Sequence, residues 1–149
     1  MTVKELMSTN VCFISSDAPV TSAAALMKKN NIGLVPVCDS KGCLLGLITD
    51  RDIVLRALTD DKKKLEELIV SDVMTKDIVT ISPEMDIHDA ACIFSQKRVH
   101  RLPVLENSRL VGVLSISDLA KKRVFLAEVG DIMGAIAKIK GYASIKNKK

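Results

Sequence analysis

Apolar positions along this chain change rhythm in a regular order. A short apolar run, Val11 to Ile14, reads as a strand, and the polar turn Ser15-Ser16-Asp17-Ala18-Pro19 follows it. Pro and Asp at that point signal a helix start. Ala23, Ala24, Leu26 and Met27 then recur at helical spacing, which predicts a helix from Val20 to about Asn30. Next comes a buried strand, Leu34 to Cys38, whose internal Pro36 points to an edge or a strand start. The turn Asp39-Ser40-Lys41-Gly42 leads to a strand over Leu44 to Ile48 and a helix from Asp50 to about Leu58. The whole order then repeats. The second copy has a strand Ile78 to Ile81, a helix carrying Ile87, Ala90, Ala91, Ile93 and Phe94, strands Leu102 to Leu105 and Leu110 to Leu114, and a helix from Ile116 to about Arg123.

The repeat is visible residue by residue. Val3-Lys4-Glu5-Leu6-Met7 matches Val70-Ser71-Asp72-Val73-Met74, and Pro36-Val37 matches Pro103-Val104, both at an offset of 67. One residue is lost in the turn, so Gly46 pairs with Gly112 and Asp52 with Asp118 at offset 66. Two copies are too few for a solenoid, so a pseudo-twofold pair of β-α-β-β-α units is expected. The fold class is mixed α/β (α+β). The predicted domains are residues 3–59 and 70–123, joined by a charged linker over 60–69 and followed by a helical extension and basic tail over 124–149. In the extension Phe125, Leu126, Val129, Ile132, Met133, Ile136 and Ile139 keep helical spacing, while Gly130 and Gly134 are expected to interrupt it.

The candidate chemistry sits where the last strand of each copy meets its helix. Gly46-Leu47-Ile48-Thr49-Asp50-Arg51-Asp52 and Gly112-Val113-Leu114-Ser115-Ile116-Ser117-Asp118 both place a hydroxyl residue three positions before an Asp. That spacing is a capping box, with Asp in place of the more usual Glu. A well-capped helix is the plain reading. A ligand reading also fits, because free N–H groups favour phosphate and a nearby carboxylate can accept two hydrogen bonds from a ribose diol. Asp50 and Asp52 also offer a seat for Mg²⁺ beside bound phosphates, although a cap is the more economical account of both.

Composition narrows the classes. Of 149 residues 48% are hydrophobic and only 3% aromatic, with no Trp. A Val/Ile/Leu core is therefore available, but stacking platforms for single-stranded nucleic acid are not. The net charge is +4, yet residues 138–149 carry five lysines and no acid, so the body is near neutral and the excess is a tail. Cys12, Cys38 and Cys92 lie among apolar neighbours and read as core, while Cys43 sits in a turn. Free thiols with no signal-like or spanning segment lead to a cytoplasmic expectation. Neither His88 nor His100 joins a nucleophile–base constellation, so no enzyme activity is expected.

Two such units, each ending in Gly-hydrophobic-x-[Thr/Ser]-x-x-Asp, resemble the tandem CBS domain pair, or Bateman module. Gly-Leu-Ile-Thr-Asp-Arg-Asp-Ile and Arg-Val-His-Arg-Leu-Pro-Val are typical of that family, and the likeness covers Val3 to about Arg123. The resemblance implies a stand-alone regulatory module that binds AMP, ADP, ATP or S-adenosylmethionine in two clefts between the units and signals to an unidentified protein. It implies that Asp52 and Asp118 hold ribose hydroxyls, with Thr49, Ser115 and Ser117 positioning ribose or phosphate. It also pairs Asp118 with Ser15, Ser16, Ile32 and Gly33, and Asp52 with Thr80, Ser82, Val99 and His100. His100 and Arg101, with Arg51, are the expected phosphate contacts. Their first-unit counterparts Gly33 and Leu34 are uncharged, so unequal sites are expected: the Asp52 cleft should favour phosphorylated ligands, and the Asp118 cleft should take a less charged ligand or stay empty. A homodimer through helices 50–58 and 116–123 is a further implication. The alternatives are a scaffold with vestigial clefts, or nucleic-acid binding through the lysine tail.

Overall fold

The apolar stripes and hydroxyl caps of the sequence form helices, and the short apolar runs pair as hairpins. The computed structural model describes residues 1–138. In chain order the elements are α1 (Val3–Leu6), α2 (Val20–Asn30), β1 (Leu34–Cys38), β2 (Leu44–Thr49), α3 (Asp50–Asp52), α4 (Val70–Val73), α5 (Ile87–Lys97), β3 (Arg101–Glu106), β4 (Arg109–Ser115), α6 (Ile116–Ala120) and α7 (Leu126–Ala137). A π-helical stretch, Ile53–Ala57, continues α3, and single 3-10 turns cover Leu65–Glu67 and Arg123–Phe125. β1 pairs antiparallel with β2, Leu34 opposite Thr49 and Pro36 opposite Leu47, and β3 pairs with β4.

The predicted strands over Val11 to Ile14 and Ile78 to Ile81 do not form full strands. Each contributes one parallel bridge, Ile14 to Val37 and Ile81 to Val104. Ile14 N–H donates to Pro36 O (3.0 Å) and Ile14 O accepts from Cys38 N–H (3.0 Å). Pro36 lacks an N–H but keeps its carbonyl, so this edge offers only a short ladder.

The compact units are not the contiguous repeats. Among the described residues, one unit combines residues 11–78 with 107–110; the other combines residues 1–10, 79–106 and 111–138. Each repeat is thus completed by the lead segment preceding the other. In the first unit Val20 N–H donates to Leu68 O (3.0 Å), Val70 N–H to Ala18 O (2.8 Å), and Thr75 exchanges both backbone bonds with Leu47 (2.8 and 2.9 Å). In the second, Ile87 N–H donates to Met1 O (3.0 Å), Val3 N–H to Met85 O (2.8 Å), and Ser8 exchanges both bonds with Val113 (3.0 Å each). Both lead helices are closed by an acid at the third position: Glu5 accepts from Thr2 N–H (2.6 Å) and Asp72 from Ile69 N–H (2.9 Å). The Thr2 backbone N–H and then the Thr2 hydroxyl hold the Glu5 carboxyl below its ordinary value.

Each unit has its own apolar core. Val20, Ala23, Val35, Val37, Ile48, Leu68 and Val70 anchor the first. Val3, Ile87, Phe94, Leu102, Leu114, Leu119 and Ile132 anchor the second. Two expectations change. α7 runs unbroken through Gly130 and Gly134, and its Ile132 is fully buried, so packing overrides the local glycine penalty. Cys92 is exposed rather than part of the core, because it lies on the outer face of α5, whereas Cys38 is buried. Ile139 and the lysine tail beyond Lys138 lie outside the described residues.

Two outcomes follow. Removing residues 1–10 should strip amide-exchange protection from residues 79–106 and leave 20–38 protected. Burial pushes the Cys38 thiol up, so Cys92 should alkylate at neutral pH well before Cys38, as read by mass spectrometry of peptides.

Candidate functional site

The repeated motif is a capping box in both units. Thr49 caps α3: Asp52 N–H donates to its Oγ1 (3.0 Å), and Asp52 Oδ2 accepts from Thr49 N–H (3.0 Å). Ser115 caps α6 in the same way, with 3.2 Å from Asp118 N–H to Ser115 Oγ and 2.8 Å from Ser115 N–H to Asp118 Oδ2. Both acids are buried, Asp52 at 7% exposure and Asp118 at 6%. A buried carboxylate needs donors, and the two units supply them differently.

Asp52 is held by a residue of the lead segment and by one a turn further along its own helix. Thr75 Oγ1 donates to both carboxylate oxygens (3.2 and 3.3 Å), and Arg56 Nε lies 3.8 Å from Oδ1. Arg56 also reaches the Val73 and Met74 carbonyls at 3.3 and 3.4 Å, which caps the end of α4. Asp118 takes the Ser115 hydroxyl (2.9 Å) on Oδ2, and Oδ1 has Lys121 Nζ at 3.7 Å. Among the described residues that oxygen accepts no hydrogen bond. Thr75 and Arg56 are the residues sequence reasoning missed. The signal for Thr75 was the offset of 67 that aligns it with Ser8, a hydroxyl at the same place in both lead segments; Arg56 left no such signal.

The glycine that opens each motif has a steric reason. A Cβ on Gly46 would stand 2.7 Å from Thr75 O, and one on Gly112 would stand 2.9 Å from Ser8 O and 2.6 Å from Met7 Sδ. The lead segment passes too close for any side chain.

The structure gathers the sequence-derived residues into two sets. In the first unit Asp50 N–H donates to Gly33 O (2.9 Å), which brings Ile32 and Gly33 beside Thr49, Arg51 and Asp52. In the second, Ile116 N–H donates to His100 O (3.1 Å), which brings Val99, His100 and Arg101 beside Ser115, Ser117 and Asp118. Gly33 and His100 therefore occupy the same slot. Arg51, His100, Arg101 and Ser117 are exposed. Ser15 and Ser16 precede α2; Ser15 bonds Asp17, and Ser16 O accepts from Ser71 N–H. Thr80 and Ser82 are exposed ahead of α5. The suggested Asp50–Asp52 metal seat is not assembled: Asp50 is exposed and caps Arg51 N–H, while Asp52 is buried and committed elsewhere. Among the described residues no three His, Cys, Asp or Glu side chains come together as a metal site, and no helix is long and apolar enough to cross a membrane.

The CBS domain family profile matches residues 3–58 and 70–124. The CBS domain-containing protein YhcV of Bacillus subtilis is 34% identical over 135 residues, which span 91% of this chain and 94% of that protein. The CBS domain pair of protein MJ0100, solved in complex with 5'-methylthioadenosine and S-adenosyl-L-methionine, superposes with a TM-score of 0.69 at 29% identity, covering 81% of this chain and 94% of that one. The CBS domain protein TA0289 of Thermoplasma acidophilum superposes with a TM-score of 0.76 at 27% identity, covering 93% and 77%.

The unequal surroundings of the two acids set a stability test. Thr75→Val leaves the buried Asp52 without its hydroxyl donor and should cost about 1–3 kcal/mol. Ser8→Ala, at an exposed hydroxyl, should stay within about 0.5 kcal/mol. Gly46→Ala should cost about 1–3 kcal/mol through the clash with Thr75 O. Urea unfolding of the three variants reads all of these.

Proposed function

The chain belongs to the CBS domain family, with two CBS domains in tandem, and from that premise we propose that it is a regulatory module for an adenosine-containing ligand. The observation that carries this reading is the paired motif. In both units a Thr or Ser cap and a buried Asp stand at the end of a strand, beside the backbone of Gly33 or His100. The MJ0100 pair, similar in sequence and fold, holds two adenosine derivatives. In this proposal Asp52 and Asp118 take the ribose hydroxyls. Thr49, Ser115 and Ser117 orient ribose or phosphate. Ile32, Gly33 and Val99 line adenine, with Ser15, Ser16, Thr80 and Ser82 as further polar contacts. Arg51, His100 and Arg101 serve phosphate, if the ligand carries one, since a guanidinium fork matches phosphate geometry. The expected ligands are AMP, ADP, ATP, S-adenosylmethionine or methylthioadenosine.

The two acids differ in readiness. Asp118 Oδ1 accepts no hydrogen bond among the described residues, whereas both Asp52 oxygens are engaged by Thr75. That commitment favours a second reading for the first unit: its motif serves only as a structural staple and its ligand site is vestigial.

Self-association belongs to the same proposal. Val54, Leu55 and Leu58 are each more than half exposed and form an apolar face on the helix after the first motif. The counterpart helix is different, since Ile116 and Leu119 of α6 are buried in its own unit. Only the first of the two expected dimer helices thus presents such a face. Leu55→Glu together with Leu58→Glu should lower the sedimenting mass to that of one chain.

Calorimetry with the five ligands tests the binding reading. At least one ligand should bind, and at a hundredfold excess over Kd it should stabilise the fold by about 2.7 kcal/mol. Asp118→Ala should weaken binding while folding is retained. An effect of Asp118→Ala with none from Asp52→Ala would support the staple reading of the first unit. No binding of any ligand to the parent chain would count against the sensor.

A further inference from the structure

The bonds that converge on Asp52 are of two kinds. Thr49 N–H reaches Oδ2 at 3.0 Å, an ordinary length for a capping bond. The Thr75 hydroxyl is instead spread over both oxygens at 3.2 and 3.3 Å, longer than the roughly 2.7–2.8 Å usual between a hydroxyl and an oxygen acceptor. Arg56 Nε stands 3.8 Å from Oδ1, and Arg56 Nη1 reaches Val73 O and Met74 O at 3.3 and 3.4 Å. Every tie between this carboxylate and the lead segment is therefore a long one. The Arg56 side chain is also half exposed, which weakens its pull on the acid.

The helix that carries Asp52 is widened at the same place. Leu58 N–H donates to Ile53 O, five residues back (2.9 Å), and closes a π-helical turn that starts directly after Asp52 and contains Arg56. After Asp118 the spacing is ordinary, with Lys121 N–H donating to Ser117 O four residues back (3.3 Å). Single π turns inside helices are rare and gather at functional places. Ser8, the counterpart of Thr75, gives Asp118 no hydrogen bond among the described residues. The long ties and the wide turn thus belong to the first motif.

We propose that the Thr75 hydroxyl is a latch on the first motif, holding the Asp52 oxygens until a ribose diol takes them. This rests on the adenosine reading above and adds regulation to it. One hydroxyl has a single proton to share between two acceptors, whereas a diol brings two, so the exchange gains a hydrogen bond. When Asp52 turns to the diol, Thr75 and Arg56 lose the partner they have in common, and the end of α4 loses its tie to the motif. Occupancy of the first motif and attachment of residues 73–75 therefore oppose each other, and such coupling is reciprocal.

Calorimetry with AMP and S-adenosylmethionine in an Asp118→Ala chain, where the second motif is disabled, tests the latch. Thr75→Val in that chain should tighten binding of at least one of the two about five- to tenfold, although it weakens the fold. Thr75→Ser keeps the hydroxyl and should bind as the Asp118→Ala chain does. Arg56→Met, at a half-exposed position, loosens the same tie without touching the core and should tighten binding about two- to threefold. Bound ligand should speed amide exchange of residues 73–75. A purely structural Thr75 would give the opposite sign, since its loss would weaken binding or leave it unchanged. No gain from either Thr75→Val or Arg56→Met, a gain from Thr75→Ser equal to that from Thr75→Val, or exchange at 73–75 not quickened by ligand would overturn the latch and leave the adenosine reading standing. Absence of binding in the unmodified chain and in every variant would overturn both.

Discussion

The fold depends on a backbone-to-backbone contact. In each unit the lead segment crosses the strand that carries the motif, and it does so over a glycine. Thr75 O lies where a Cβ of Gly46 would stand, and Ser8 O where a Cβ of Gly112 would stand. The bonds exchanged at these crossings, Thr75 with Leu47 and Ser8 with Val113, extend the two-stranded sheets by one bridge each. Because each lead segment precedes the opposite repeat, neither repeat finishes its own core. Val70 and Val73 are buried in the first core and Val3 in the second. Doubling of the unit and completion of the unit are therefore the same event, and half of the sequence would leave apolar surface open.

The same crossing decides what the motif acids do. In the first unit the lead segment brings Thr75 to Asp52, and Arg56 links that carboxylate to the end of α4. In the second unit Ser8 makes only its backbone bonds to Val113 among the hydrogen bonds described, and Asp118 leans on Ser115 and Lys121. The Thr75 hydroxyl and the Arg56 guanidinium together separate a carboxylate absorbed by the fold from one with an oxygen to spare. The two motifs of this chain are alike in sequence and unlike in their surroundings, and the regulatory proposal rests more on the second than on the first.

Much of this was legible in the chain. Helical spacing of Ala23, Ala24, Leu26 and Met27 placed α2 at its observed ends, although Ala24 itself is exposed, and the hydroxyl-x-x-Asp spacing gave both capping boxes. Misreadings had specific causes. Val11 to Ile14 looked like a strand by composition, but Pro36 leaves room for a single bridge on that edge. Gly130 and Gly134 suggested a break, yet burial of Ile132 in the core holds the helix through them. Cys92 looked apolar from its neighbours Ala91 and Ile93, while helical geometry turns it outward. The exchange of lead segments left no local trace, because hydrophobic periodicity records which face is buried and not which partner buries it.

Adenosine recognition by the two capped motifs is tested most directly by amide chemical shifts of the intact chain, followed as S-adenosylmethionine or AMP is added. The expected result is saturable movement of the Ser115–Asp118 amides, with a smaller response at Thr49–Asp52. Saturable shifts that leave both motifs still, or no saturable shift at all, would contradict it.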